Sequence, residues 1–231
     1  METLEITDLK DMLKKTENFG NKPAYKIRQG EGKYKIITHK EAREMVNALG
    51  TELIDLGLKE KRIAVIGENR YEWEIAYLSI VCGTGIVVPL DKSLPEKEIE
   101  RLIQRADVEA IFYSKKYEEQ LQHIYKNKTT KLKYLFSMEK ESELIEKGKQ
   151  LLEKGNTEFL DAKINPEEMN IMLFTSGTTS ESKAVELSHK NVSFNCTSEC
   201  NIFSKEQKNI CIIFKNSCNK RPVWATFKWM V

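Results

Sequence analysis

The sequence predicts an α/β fold, a parallel sheet layered with helices, and three observations carry that prediction. Short β-like runs alternate with amphipathic helical runs through the first 190 residues. Runs such as Arg62–Ile66 and Ile86–Val88 read as buried strands. The composition, 40% hydrophobic and 31% charged, suits a globular chain able to bury a substantial core.

Taken in order, a short N-terminal helix precedes two β-like runs, Ala24–Arg28 and Tyr34–Ile37, which flank a Gly30–Glu31–Gly32 turn as a hairpin. Thr38 stands three residues ahead of Glu41, the spacing of a capping box. Ala42, Met45, Val46, Leu49, Leu53 and Leu56 then repeat at helical spacing, and Gly57 suits the left-handed stop. Arg62–Ile66 is a strand ending at Gly67, a helix covers about 71–81, and Ile86–Val88 is a strand closed by Pro89. Ser93 can cap a helix over about 96–105. A strand (110–113), a helix (116–125), a strand (132–136), a long polar helix (139–154) and a strand (169–174) complete the alternation. The Lys- and Glu-rich stretch 139–168 reads as a solvated face and connector. Right-handed crossovers would bring the strand C-termini to one edge, where such sheets bind ligands.

From Val192 the texture changes. Four of the five cysteines fall within 196–218, and no periodic pattern is sustained. The sequence therefore divides into a partial N-terminal domain, 1–191, and an irregular tail, 192–231, of the kind a truncated or frame-shifted product would carry.

Charge excludes some partners. A formal net charge of +2 gives no field suited to nucleic acid, so any anion must be bound locally. The N-terminal segment is mixed in charge and unlike a signal peptide. The longest uncharged stretch, Ile75–Leu90, is shorter than the ~20 residues of a membrane span and is broken by Gly83, Gly85 and Pro89. A cytoplasmic setting with reduced cysteines is expected. Cys196, Cys200, Cys211 and Cys218 lack the paired spacing of a zinc site, and His39, His123 and His189 are scattered, so no metal ligands are assigned.

The segment richest in chemistry is 171–191. An apolar run ending at Phe174 enters a stretch with hydroxyls at Thr175, Ser176, Thr178, Thr179, Ser180 and Ser182, a glycine at 177, and Lys183. Phosphate oxygens need many donors at close range and a positive charge, which hydroxyls, backbone N–H groups at a glycine turn and an ammonium supply. A Walker loop is excluded, because Ser182 and Ala184 occupy the places where that pattern needs Gly and Ser or Thr. On composition alone the cluster reads rather as an ordinary Ser/Thr-rich surface loop.

The whole string decides between these. Phe174-Thr-Ser-Gly-Thr-Thr179, then Lys183-Ala-Val185, then Leu187-Ser-His-Lys-Asn191, resembles the signature of the adenylate-forming (AMP-binding) superfamily of acyl-CoA synthetases, luciferases and peptide-synthetase adenylation domains. The usual signature has Gly, Pro and Gly where this chain has Ser180, Ser182 and Ala184. Three further strings match in order: Ile37–Glu41, Lys61–Trp73 and Val81–Asp91, the last two in the acyl-CoA synthetase form.

The resemblance implies the N-terminal part of the adenylate-forming fold and of an ATP-dependent long-chain fatty acid–CoA ligase. Such an enzyme joins a carboxylate to the α-phosphate of ATP with Mg2+, then passes the acyl group to coenzyme A. It implies Thr175, Ser176, Gly177, Thr178, Thr179 and Lys183 as the residues holding the β- and γ-phosphates. It assigns no catalytic residue within 231 positions, since the ribose site, hinge and catalytic lysine of such enzymes lie downstream of this stretch, and it implies no turnover for this chain alone. A fatty acid or another carboxylate is the expected substrate; oligomeric state is left open. Two alternatives remain: a non-catalytic phosphate-binding module completed by a separate chain, and a fragment of an aryl-acid or amino-acid adenylation domain. Arg70, Tyr71 and Trp73 follow a strand end and could line the ligand edge, with Trp73 assigned to packing; His189 is assigned a structural or helix-capping role.

Overall fold

The computed structural model describes residues 5–175 and 182–197 in full, and the backbone of 198–203, 209–216 and 223–230. Helix α1 (Leu9–Lys15) is capped by the Asp8 carboxylate, which accepts from the Asp11 N–H at 2.8 Å. Strands β1 (Pro23–Arg28) and β2 (Tyr34–Thr38) pair antiparallel as the hairpin the turn glycines predict. The capping box at the start of α2 (His39–Asp55) closes in both directions. The Glu41 N–H donates to Thr38 Oγ1 at 3.2 Å, and the Thr38 N–H donates to Glu41 Oε2 at 2.7 Å.

The main sheet comprises β3 (Arg62–Ile66), β4 (Ile86–Pro89), β5 (Ala110–Tyr113), β6 (Tyr134–Ser137), β7 (Met169–Thr175) and β8 (Lys183–Ser188), in the order β6-β5-β3-β4-β7-β8. The first five are parallel, as predicted. The sixth runs antiparallel to β7, which makes the sheet mixed. Helices α3 (Tyr71–Ser79), α4 (Glu96–Arg105), α5 (Glu118–Asn127), α6 (Glu141–Glu153) and the short α7 (Glu158–Asp161) cross between strands.

Alternation along β3 divides the interior into two layers. Ile63 and Val65 join the core beneath α1, α2, α3 and α6, while Ala64 and Ile66 join the core beneath α4 and α5. All four are fully buried, which is why the run is apolar without interruption. On one side α3 continues into a π-helical turn, Ile80–Thr84, and breaks at Gly83, whose φ of +155° would strain any other residue.

Most of residues 139–168 is exposed, the solvated face and connector expected of them, while the other face of α6 packs along α2. Phe159 is fully buried, and Gly148 lies so close to α2 that a Cβ there would sit 1.8 Å from the Ala48 carbonyl oxygen. Two expectations need correction. Ser93 does not cap α4. Pro95 takes that position, and Ser93 instead donates to Asp91 from both its N–H and its hydroxyl at 2.8 Å. The tail does not begin irregularly: α8 (His189–Phe203) crosses residue 192, with Ser193 and Cys196 buried. A separate antiparallel hairpin of β9 (Asn209–Asn216) and β10 (Val223–Met230) follows. The inward stripe of α8 is His189, Val192, Ser193 and Cys196 among its described side chains, and with two of the four polar it does not register as hydrophobic periodicity.

Candidate functional site

The carboxyl ends of the parallel strands share one edge of the sheet, and β7 delivers Thr175 to it. Thr175 pairs in register with Lys183, the first residue of β8, so the two ends of the hydroxyl-rich segment face each other across neighbouring strands. Thr175 is half-buried and Lys183 exposed. Ser176, Gly177, Thr178 and Thr179 lie outside the described residues.

The far end of the segment is fastened to α4. Arg105 donates to the Ser182 carbonyl oxygen at 2.7 Å, and the Ser182 hydroxyl donates to Glu98 Oε1 at 3.1 Å. The same guanidinium lies 5.7 Å from the centre of the Phe174 ring, touching the other strand of the pair. Arg105 thus clamps both sides of the connection. Sequence reasoning missed this role: 77 residues separate Arg105 from Ser182, and only the helical span of α4 was legible.

The string after Lys183 proves to be architectural. The Ser188 N–H and hydroxyl both donate to Asn191 Oδ1, at 3.0 and 3.1 Å, and the Asn191 N–H returns to Ser188 Oγ at 3.3 Å. This reciprocal cap starts α8 directly from the end of β8. His189, fully buried, accepts the Leu9 N–H at Nδ1 and donates from Nε2 to the Val81 carbonyl oxygen, both at 3.0 Å. Those partners fix the neutral tautomer, and burial holds its pKa below the ordinary value. The ring joins α1, the π-helical turn and α8, which leaves it no proton to exchange with a ligand.

The other candidates fall elsewhere. Arg70 is committed to Glu72 at 2.7 Å and to Glu139 at 2.6 Å, and these carboxylates raise its pKa further. Tyr71 packs against Tyr25 with ring centres 6.0 Å apart, and Trp73 stacks on Tyr77 at 5.4 Å, the packing role expected of it. His39, the first residue of α2, is buried with its ring 5.3 Å from that of Phe19, and loss of solvent lowers its pKa to about 4, while His123 pairs with Glu96 on the surface. Cys82 and Cys196 are buried.

The sequence profile described as "AMP-binding enzyme" matches residues 13–216. Long-chain-fatty-acid–CoA ligase 6 of Mus musculus is 31% identical over 190 residues, which is 75% of this chain and 27% of that one. Long-chain-fatty-acid–CoA ligase 1 of Homo sapiens is 26% identical over 206 residues, 82% of this chain and 29% of its own. This chain therefore spans less than a third of the length of these relatives. Among solved structures, a long-chain-fatty-acid-CoA ligase (FadD1) from Archaeoglobus fulgidus superposes with a TM-score of 0.70 at 18% identity, over 87% of this chain and 40% of that one. The anthranilate CoA ligase AuaEII, in complex with anthranoyl-AMP, superposes with a TM-score of 0.69 at 16% identity, over 85% and 37%. At those identities the superpositions establish the fold.

Proposed function

This chain belongs to the AMP-binding enzyme family, and from that premise we propose that it carries the triphosphate-holding part of an ATP-dependent fatty acid–CoA ligase. The observation that supports the reading is the pairing of Thr175 with Lys183 at the carboxyl edge of the parallel strands. It brings the two ends of the hydroxyl-rich segment, Thr175 and Lys183, to the edge where an α/β sheet accepts ligands.

In this reading Thr175, Ser176, Gly177, Thr178, Thr179 and Lys183 hold the β- and γ-phosphates. Hydroxyls and backbone N–H groups donate to phosphate oxygens, and the Lys183 ammonium offsets charge as a carboxylate approaches the α-phosphate. The carboxylate displaces pyrophosphate, and the acyl group then passes to the thiol of coenzyme A. Mg2+ would supply further neutralisation of the triphosphate. Among the described residues no group of three or more His, Cys, Asp or Glu is placed to hold a metal ion, so the ion is proposed to enter on the nucleotide.

A fatty acid is favoured as the carboxylate because the curated relatives are named long-chain-fatty-acid–CoA ligases. The chain alone is proposed to bind ATP weakly and to lack turnover, because the acyl pocket and catalytic lysine implied by the family are not among its assigned residues and positioning supplies much of the rate. Calorimetric titration with MgATP tests the site. Weak binding that disappears in Lys183→Ala, with the melting temperature unchanged, is expected; binding indifferent to Lys183 refutes the assignment. A separate assay of fatty-acid-dependent pyrophosphate release should give nothing above background, and release by the purified chain would refute the claim of inactivity.

A further inference from the structure

The β1–β2 hairpin departs from the rest of the surface in two independent ways. Its inner face is ordinary: Ile37 is buried, and Tyr25 and Ile27 pack against the core. On the outer face Lys26 pairs with Ile36 and Arg28 with Tyr34. Tyr34 is 49% exposed and Ile36 50%, large apolar groups standing where strand alternation should present polar ones. They remain exposed although β10 lies beside β1. The Lys26 ammonium sits 4.4 Å from the centre of the Tyr34 ring, so charge and apolar surface interleave.

Charge is the second departure. Lys22, Lys26, Arg28, Lys33 and Lys35 crowd residues 22–35 against one carboxylate, Glu31, although the whole chain carries only +2. All five are exposed, and among the described residues none is in an ion pair. Lys35 shares the inner face with Ile27 and lies 5.9 Å from the centre of the Tyr71 ring. The outer face itself therefore carries Lys26 and Arg28, with Lys22 and Lys33 just beyond the strand ends. Elsewhere cations are commonly tied down, as Lys59 is to Glu158 and Lys133 to Glu109, each at 2.6 Å. A hairpin face with Lys26 and Arg28 outside any ion pair among the described residues, beside an exposed aromatic and an exposed aliphatic side chain, matches a surface that is anionic outside and apolar just beneath.

The geometry points to the outer face of the β1–β2 hairpin as a docking surface for an anionic lipid bilayer. The cations meet headgroup phosphates and carboxylates, while Tyr34 and Ile36 enter the interfacial layer. A single-stranded nucleic acid is the less suitable occupant: it would use stacked aromatics along a basic groove, and this face offers one ring beside an aliphatic chain. The inference is independent of the nucleotide site, which lies on another edge of the molecule's architecture, at β7 and β8.

Co-sedimentation with vesicles of three parts phosphatidylcholine to one of phosphatidylserine, against phosphatidylcholine alone, tests it on the full 231-residue chain. Partition should favour the anionic vesicles and weaken as salt rises. Each cation near such a surface contributes about a fivefold factor, so Lys26→Gln with Arg28→Gln should lower partition about 25-fold. Ile36→Ser should lower it several-fold, and Lys154→Gln, a cation on another face, should leave it unchanged. All these positions are exposed, and melting temperatures within a degree or so of the parent will exclude misfolding. Equal partition onto neutral vesicles, indifference to the hairpin substitutions, an equal loss in Lys154→Gln, or preference for a single-stranded oligonucleotide at the same salt would each overturn the inference.

Discussion

His189 illustrates how a polar residue in a motif can serve the fold. Its Nδ1 satisfies the Leu9 N–H and its Nε2 proton satisfies the Val81 carbonyl, in a site closed to water. His189→Ala would strand both groups, at a cost of about 1–3 kcal/mol for each that stays dry. A lower urea midpoint at pH 7.5 is the check. Protonation would do similar damage, since Nδ1 could no longer accept. The folded pKa is lowered, so the unfolded chain binds the proton more readily. The contribution of His189 is therefore whole above about pH 6.5 and is lost as pH falls toward the lowered folded value. Glu74 acts in the opposite sense. Burial pushes its carboxyl up to about 7, only partly relieved by a hydrogen bond from Tyr25, and one oxygen lies dry and unpaired. Its neutral form is the native one, so its contribution is whole below the ordinary carboxylate value and is lost as pH rises through about 7. Glu74→Gln should stabilise the chain at pH 8 by at most about 3 kcal/mol and should flatten the alkaline side of its stability profile. No gain at pH 8 in guanidinium titrations would show that the carboxyl is solvated.

Between helices, the decisive residue is one without a side chain. Gly148 lets α6 approach α2 until the Ala48 carbonyl would be 1.8 Å from any added Cβ. That neighbour is backbone and cannot rotate aside, so Gly148→Ala must push the helices apart. A loss of roughly 1–3 kcal/mol is expected, with faster amide exchange along α6 than along α5; uniform exchange would place the strain elsewhere. This contact also explains the limits of reading the chain unaided. The α2 capping box, the apolar parallel strands and the β1–β2 turn were legible because their determinants lie within a few residues of one another. The packing role of α6 was not, since Lys- and Glu-rich composition describes the exposed face while Gly148 acts through a helix a hundred residues earlier in the chain. β8 was missed for a related reason: an antiparallel edge strand with its first four residues exposed needs no hydrophobic alternation. At the candidate site the hydroxyls, Gly177 and Lys183 were visible as chemistry. The Arg105–Ser182 clamp and the Thr175–Lys183 register depend on tertiary pairing and were not.

Across the whole molecule, the two helical layers share one sheet, and this sharing has a thermodynamic consequence. Ile63 and Ile66 lie three residues apart on β3, both fully buried, one in each core. β5 repeats the arrangement, with Phe112 facing one layer and Ile111 the other. Neither layer can lose its contacts without uncovering strands that the other requires. Ile63→Ala and Ile66→Ala should therefore each cost about 2–5 kcal/mol, although they open cavities on opposite faces. Each should lower the midpoint of one shared transition, with tertiary and helical signals moving together. The alternative is two semi-independent layers, for which Ile63→Ala would melt α1, α2, α3 and α6 while α4 and α5 persisted. Far-ultraviolet circular dichroism and amide exchange on the two variants distinguish these outcomes. A biphasic melt, or protection retained only in α4 and α5 after Ile63→Ala, would refute cooperative unfolding through the sheet. The point bears on the candidate site, because β7 reaches both cores through Ile171 on one side and Met172 and Phe174 on the other. If the layers unfold as one, a cavity opened far away on β3 must also loosen Thr175, and MgATP binding should weaken in both variants as their midpoints approach the assay temperature.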